Sequence, residues 1–189
     1  MATLEAALLL EIPETIETPR LQLRATRAGA GKAINEAFVE SHPQLAAWMP
    51  WAKVAMTGED SERHCREAHA KWYARQELDF FFHRKPDGGF VGKGGLHTID
   101  WSIPKFEIGY WVRTSCARQG FATEAAQAMA EFAVASLGAR RIEITSDARN
   151  VPSRRVAERC GFTLEGIRRA SRRDNAGELA DSCMYARIF

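Results

Sequence analysis

Phe106-Glu107-Ile108-Gly109-Tyr110-Trp111-Val112-Arg113, followed by Arg118-Gln119-Gly120-Phe121-Ala122-Thr123-Glu124-Ala125, reads as a strand, a short glycine-bearing loop and the start of a helix. The helix shows in the spacing of Ala126, Met129, Ala133 and Leu137, and Gly138 stands where a C-terminal cap belongs. First-turn amides of such a helix lack internal partners, and the helix dipole is positive at that end. A diphosphate placed there is held by backbone N–H groups rather than by particular side chains. Gly120 and Ala122 keep the loop surface small enough for close approach. An ordinary strand–helix connection has the same look, and a single glycine does not separate the two readings.

Outward from this unit the pattern stays mixed. Alternation after Pro19 predicts a first strand near Arg20, and a helix follows over 31–40. Asp60 or Ser61 is placed to cap a second helix reaching Arg75, with Cys65, Ala68 and Trp72 on one face. Strands are predicted over 78–84, 89–99 and 106–113, the first two joined through Pro86-Asp87-Gly88-Gly89. After the central helix come a strand at 141–145, a helix over 151–160 stopped by Gly161, and closing strands over 162–169 and 181–189. No repeat, linker or low-complexity tract interrupts the chain, so the expectation is one α/β (α+β) domain over 17–189 behind an N-terminal extension, 1–16.

Composition narrows the function classes. The 189 residues suffice for one domain with a real core, and 26 Lys and Arg against 24 Asp and Glu leave a net charge of +2. That balance argues against nucleic acid as the main partner. Cys65, Cys116, Cys160 and Cys183 are scattered without C-x-x-C spacing, which fits reduced thiols and a cytoplasmic location. Cys65 and His69 sit four apart on a predicted helix, but no second pair accompanies them and no metal is expected. The apolar run over 1–10 lacks a basic lead and is far shorter than the ~20 residues of a spanning helix, so neither signal peptide nor membrane anchor is expected.

Taken together, the order of elements resembles the GCN5-related N-acetyltransferase superfamily, whose coenzyme A loop is written Arg/Gln-x-x-Gly-x-Gly/Ala. The chain gives Ala117-Arg118-Gln119-Gly120-Phe121-Ala122, matching at Gly120 and Ala122 and departing at Ala117. The likeness extends to the branch of ribosomal-protein N-terminal acetyltransferases (RimJ/RimL-like). It is carried by Glu17-Thr18-Pro19-Arg20-Leu21-Gln22-Leu23-Arg24, Glu107-Ile108-Gly109-Tyr110-Trp111, Asn150-Val151-Pro152-Ser153-Arg154-Arg155-Val156, Cys160-Gly161-Phe162-Thr163-Leu164-Glu165-Gly166 and the segment 181–185. These motifs arrive in the family's order over 17–189. The resemblance implies a mostly antiparallel central sheet, splayed between its fourth and fifth strands and flanked by helices. It also implies transfer of an acetyl group from acetyl-coenzyme A to an amine, without a covalent enzyme intermediate and without a metal.

The site residues follow from that resemblance and from what the reaction needs. The loop Arg118, Gln119, Gly120, Phe121, Ala122 and Thr123, with Trp111, Val112 and Arg113 on the preceding strand, is expected to hold the coenzyme, and an amide near Trp111 or Val112 to face the oxyanion. Glu107, on the strand face opposite Phe106, Ile108 and Tyr110, is the candidate base, unless it is a plain surface carboxylate. Asn150 is placed as a helix N-cap and also as a pantetheine-orienting group, and Ser153 is the candidate acid for the leaving thiolate. Cys116 has no histidine nearby in sequence and is not taken as a nucleophile. Trp48, Trp51 and Trp72 are candidates for the acceptor groove, with Trp48 and Trp51 preferred and the core as the alternative. The basic run 167–173 reads as a solvated hairpin or as an attractor for acidic groups. The expected acceptor is a ribosomal or other protein N-terminus, with a small-molecule amine as the alternative. The rival from another class is a non-catalytic acyl-coenzyme A or ribosome-docking module. Either a monomer or a homodimer fits.

Overall fold

The computed structural model describes residues 3–189, so Met1 and Ala2, at the head of the apolar N-terminal run, lie outside the described residues. The strands are β1 (Thr15–Glu17), β2 (Leu21–Ala25), β3 (Leu78–Arg84), β4 (Phe90–Asp100), β5 (Lys105–Val112), β6 (Arg141–Asp147), β7 (Thr163–Arg173) and β8 (Leu179–Ile188). They make one sheet in the order β1-β2-β3-β4-β5-β6-β8-β7. Every neighbouring pair is antiparallel except β5 and β6.

That one parallel pair is brief. Lys105, Phe106 and Glu107 face Arg141, Ile142 and Glu143, and pairing then stops. From Ile108 to Val112, β5 is paired only with β4, while Ile144 to Asp147 are paired only with β8. The sheet therefore parts beyond the Glu107–Glu143 rung. Alternate backbone groups of each strand face this gap, because a strand points its N–H and C=O groups to both sides. The two strands are the fourth and fifth of the sequence reading; β1, which alternation over three residues is too short to show, moves the numbering up by one.

Helices α1 (Leu4–Leu8), α2 (Gly31–Ala46), α3 (Gly58–Tyr73), α4 (Phe121–Leu137) and α5 (Val151–Arg159) complete the fold. The main core joins α4 to the sheet through Phe80, Phe82, Phe106, Ile108, Met129 and Ile142, all buried. A second cluster, with Ile34, Phe38, Cys65, Phe81 and Trp111, seats α2 and α3 on the other face. Each large apolar side chain buried in this way contributes roughly 1.5–3 kcal/mol.

Several helix limits differ from those expected, for local reasons. α2 continues through Pro43 to Ala46, because Ser41 and Leu45 extend the buried stripe begun by Ile34 and Phe38. α3 starts at Gly58, since Thr57 and Asp60 form a reciprocal capping box: the Asp60 amide donates to Thr57 Oγ1 at 3.1 Å and the Thr57 amide to Asp60 Oδ2 at 3.0 Å. Ser61 is buried and accepts from Asn35 Nδ2 at 3.1 Å. α4 begins at Phe121, and Gly138 closes it in the left-handed conformation.

The stretch ahead of Glu17 packs against the domain. Ala7 and Ile12 join the main core, and Arg75 donates from Nε to Ala7 O at 3.1 Å and from Nη2 to Leu10 O at 2.7 Å. Among the described residues no helix is long and apolar enough to cross a membrane.

Candidate active site

A cavity of about 830 Å³ opens where β5 and β6 part. It draws on both faces of the sheet. Tyr110, Asn150 and Ser153 line it from the α4–α5 side, and Trp48, Trp51 and Glu107 from the α2–α3 side. Trp111 lines it too, and its ring packs into the second core cluster. Two groups approaching from opposite faces can thus meet in the gap.

Charge inside the cavity is almost fully paired. Lys93 Nζ lies 2.5 Å from Asp79 Oδ2, and Lys71 Nζ 3.0 Å from Glu77 Oε1. Asp147, at the end of β6, binds Arg149 at 2.8 Å and is also bonded by Arg172 from the basic run. His64 stands 3.9 Å from Asp79, and burial together with the nearby Lys93 charge holds its imidazole below the ordinary range, so it is neutral at neutral pH. Glu107 differs. It sits at the last β5–β6 rung, opposite His97 on β4, and among the described residues its carboxylate has no hydrogen bond or ion pair. A carboxylate with no cation of its own attracts a cationic or proton-bearing ligand.

Across the gap, Asn150 caps α5. Its Oδ1 accepts from the Ser153 amide at 3.2 Å, and Pro152 lies in the first turn. The Ser153 hydroxyl points to Tyr110, whose Oη is 3.2 Å away. The sequence placed Tyr110 on the strand face opposite Glu107 and gave no sign of this contact, which spans 43 residues. Burial raises the phenol above its ordinary range, so Tyr110 stays protonated and able to donate.

Neither the loop ahead of α4 nor Val112 or Arg113 lines the cavity. Val112 packs against the main core, while Arg113 is drawn to Glu40 on α2. Arg118 (φ 62°) and Gly120 (φ 82°) are both left-handed, a conformation found in the backbone concavities that bind anions. Among the described residues none of the amides from Arg118 to Thr123 donates to another protein group. So long an unspent run of donors at a helix start fits a diphosphate.

The remaining candidates are placed as follows. Trp72 is a core residue, edge-on to Phe80 at 5.0 Å, and does not reach the groove. Trp51 is half exposed at the mouth, 5.9 Å from Phe38. Cys65 is buried in the second cluster with its thiol pushed up to about 11 by burial, and His69 packs edge-on to Tyr73. Cys116 is buried. The basic run lies largely exposed on β7, except that Arg172 turns inward to Asp147. Because that contact spans 25 residues, only the register of β7 on β8 reveals it.

Comparison with known proteins identifies the family. Residues 20–163 match the family model described as "Acetyltransferase (GNAT) domain", and the chain belongs to that family. The chain is 27% identical to the ribosomal-protein-serine acetyltransferase of Escherichia coli (strain K12), over 93% of its own length and 97% of the relative's. A Bacillus subtilis (strain 168) relative is 36% identical over a shorter segment, spanning 44% of that protein. Among solved structures, RimL, a ribosomal L7/L12 alpha-N-protein acetyltransferase in complex with coenzyme A, superposes with a TM-score of 0.87 at 24% identity, covering 93% of this chain and 98% of that one. RimJ of Mycobacterium smegmatis, in complex with CoA-disulfide, gives a TM-score of 0.85 at 25% identity, covering 93% and 88%. The chain is an acetyltransferase of the GNAT family and fold.

Proposed function

We propose that this acetyltransferase acts on the α-amino group at a protein or peptide N-terminus, with Glu107 receiving the amine. The observation that carries the reading is the unpaired Glu107 carboxylate in a cavity whose other charges are matched. An α-amine, with a reference pKa near 7.7–8.0 against about 10.4 for lysine, has a far larger free-base fraction at neutral pH. A carboxylate, acting directly or through water, suits that acceptor better than an unperturbed lysine. The Escherichia coli relative, named as a ribosomal-protein-serine acetyltransferase, supports a protein acceptor.

The roles divide by face. Acetyl-coenzyme A would supply the activated thioester, with the amides of Arg118–Thr123 holding its diphosphate and Asn150 its pantetheine arm. Glu107 holds the amine and takes its proton. Backbone N–H groups of β5 that face the gap, near Trp111 and Val112, stabilise the developing oxyanion. Ser153, in contact with Tyr110, returns a proton to the leaving thiolate. Trp48 and Trp51 flank the acceptor at the mouth. We take the enzyme to be cytoplasmic, and a monomer or a homodimer.

The test offers a short peptide with a free N-terminus beside the same peptide with its terminus blocked and a lysine available. Mass spectrometry is expected to find acetylation of the free terminus. Efficient modification of the blocked lysine peptide alone would reject the acceptor assignment.

A further inference from the structure

The family's loop pattern opens on Arg or Gln, and this chain carries Ala117 there. A methyl group offers a phosphate nothing. The fold brings a different cation to the same surface. Arg20, in the turn before β2, donates from Nη1 to Gln119 O at 2.9 Å and from Nε to Glu124 Oε2 at 2.6 Å. Its backbone amide donates to Glu124 Oε1 at 2.8 Å, and Thr18 Oγ1 donates to the same oxygen at 2.6 Å. The guanidinium carbon lies 4.6 Å from the centroid of the Phe121 ring. These contacts fix the arginine plane against the loop, with Glu124 behind it and held by three donors.

One edge of the guanidinium stays unspent. Nη2 makes no hydrogen bond among the described residues. It lies 3.3 Å from the point where a side-chain carbon on Gly120 would stand. The side chain is half exposed to solvent, and its Nη2 stands next to Gly120 of the loop. It therefore shares a surface with the unpaired amides of Arg118–Thr123.

We propose that Arg20 is a direct ligand of the coenzyme's pyrophosphate, doing from the turn before β2 what the residue at 117 does not. A planar, always-charged fork with free N–H groups beside a row of amides matches phosphate oxygens in geometry and charge. The inference rests on the loop being the coenzyme site. It adds a residue that lies 97 positions upstream of the motif's first place (117 − 20).

Calorimetry decides it. Arg20→Met is expected to raise the Kd for both coenzyme A and dephospho-coenzyme A by about 10-fold or more, since both carry the pyrophosphate. With S-acetylpantetheine as donor, which lacks the pyrophosphate, the loss in kcat/KM is expected to be about 10-fold smaller than with acetyl-coenzyme A. Glu124→Gln, which loosens the brace and keeps the arginine, should weaken coenzyme A less than Arg20→Met does. Equal losses with both donors would reduce Arg20 to a brace and overturn the proposal. So would unchanged coenzyme A binding, or a loss confined to coenzyme A and absent with dephospho-coenzyme A, which would make the 3′-phosphate the ligand. Should Arg20→Met fail to fold, Arg20→Lys keeps the charge without the fork, and the same ligand comparison applies to it. Wild-type protein that binds no coenzyme A at all would reject the loop as the coenzyme site, an outcome separate from any ratio between variants.

Discussion

The phenol oxygen of Tyr110 lies 3.2 Å from both the side-chain hydroxyl and the backbone carbonyl oxygen of Ser153, tying β5 to the first turn of α5 across the open part of the sheet. Under the proposed roles the two hydroxyls form one proton-donating unit. Ser153→Ala is expected to lower kcat by about 10²-fold, in the range of general acid catalysis. Tyr110→Phe should lower it less, and adding Tyr110→Phe to Ser153→Ala should cost little more, as for residues acting together. Steady-state rates of thiol release across the four proteins check this. Additive losses would separate the two residues.

Glu107→Gln keeps size and removes charge and basicity. Turnover is expected to fall by roughly 10²-fold or more while coenzyme A binding, measured by calorimetry, stays within about twofold. Wild-type turnover in the glutamine variant would remove Glu107 from proton transfer and return it to the role of a plain carboxylate.

Gly120 is left-handed at φ 82°, and an added side-chain carbon would stand 3.3 Å from Arg20 Nη2. Gly120→Ala is therefore expected to destabilise the fold by about 1 kcal/mol, read from urea denaturation. Gly120→Glu adds bulk and negative charge at the amides. Acetyl-coenzyme A should raise the melting temperature of the wild type and leave that variant unmoved. An equal rise in both would place the diphosphate elsewhere.

The Asp147 carboxyl is held below its ordinary value of 3.8 by hydrogen bonds from Arg149, against the opposing effect of burial and with help from the Arg172 charge. A depressed folded value means that the stabilisation is present above about 3.8 and is lost as pH falls through the folded value. Asp147→Asn is expected to cost about 2 kcal/mol near pH 7, with the gap from wild type closing in acid. Denaturant titrations at both ends of that range measure the difference. A gap that stays constant with pH would mean that the pair does not titrate with folding.

Local sequence determined most of the elements and none of the meetings between them. The alternation around Phe106–Arg113 and the spacing of Ala126, Met129, Ala133 and Leu137 mark β5 and α4, because strand and helix periods are written in neighbouring residues. Gly120, Gly138 and Asn150 mark turns and caps for the same reason, since their work is done within a few positions along the chain. Tertiary structure alone decided that β5 and β6 part after Glu107, since a sheet opens where hydrogen-bond register ends. It also decided that Tyr110 meets Ser153 across 43 residues, and that Arg20 meets Glu124 across 104. Asn175, at the β7–β8 turn, likewise donates to Ala46 O at 2.8 Å and Met49 O at 2.9 Å, tying the hairpin to the segment that carries Trp48. Such contacts depend on strand order and register, which arise only when the hydrophobic faces of distant segments are buried against one another.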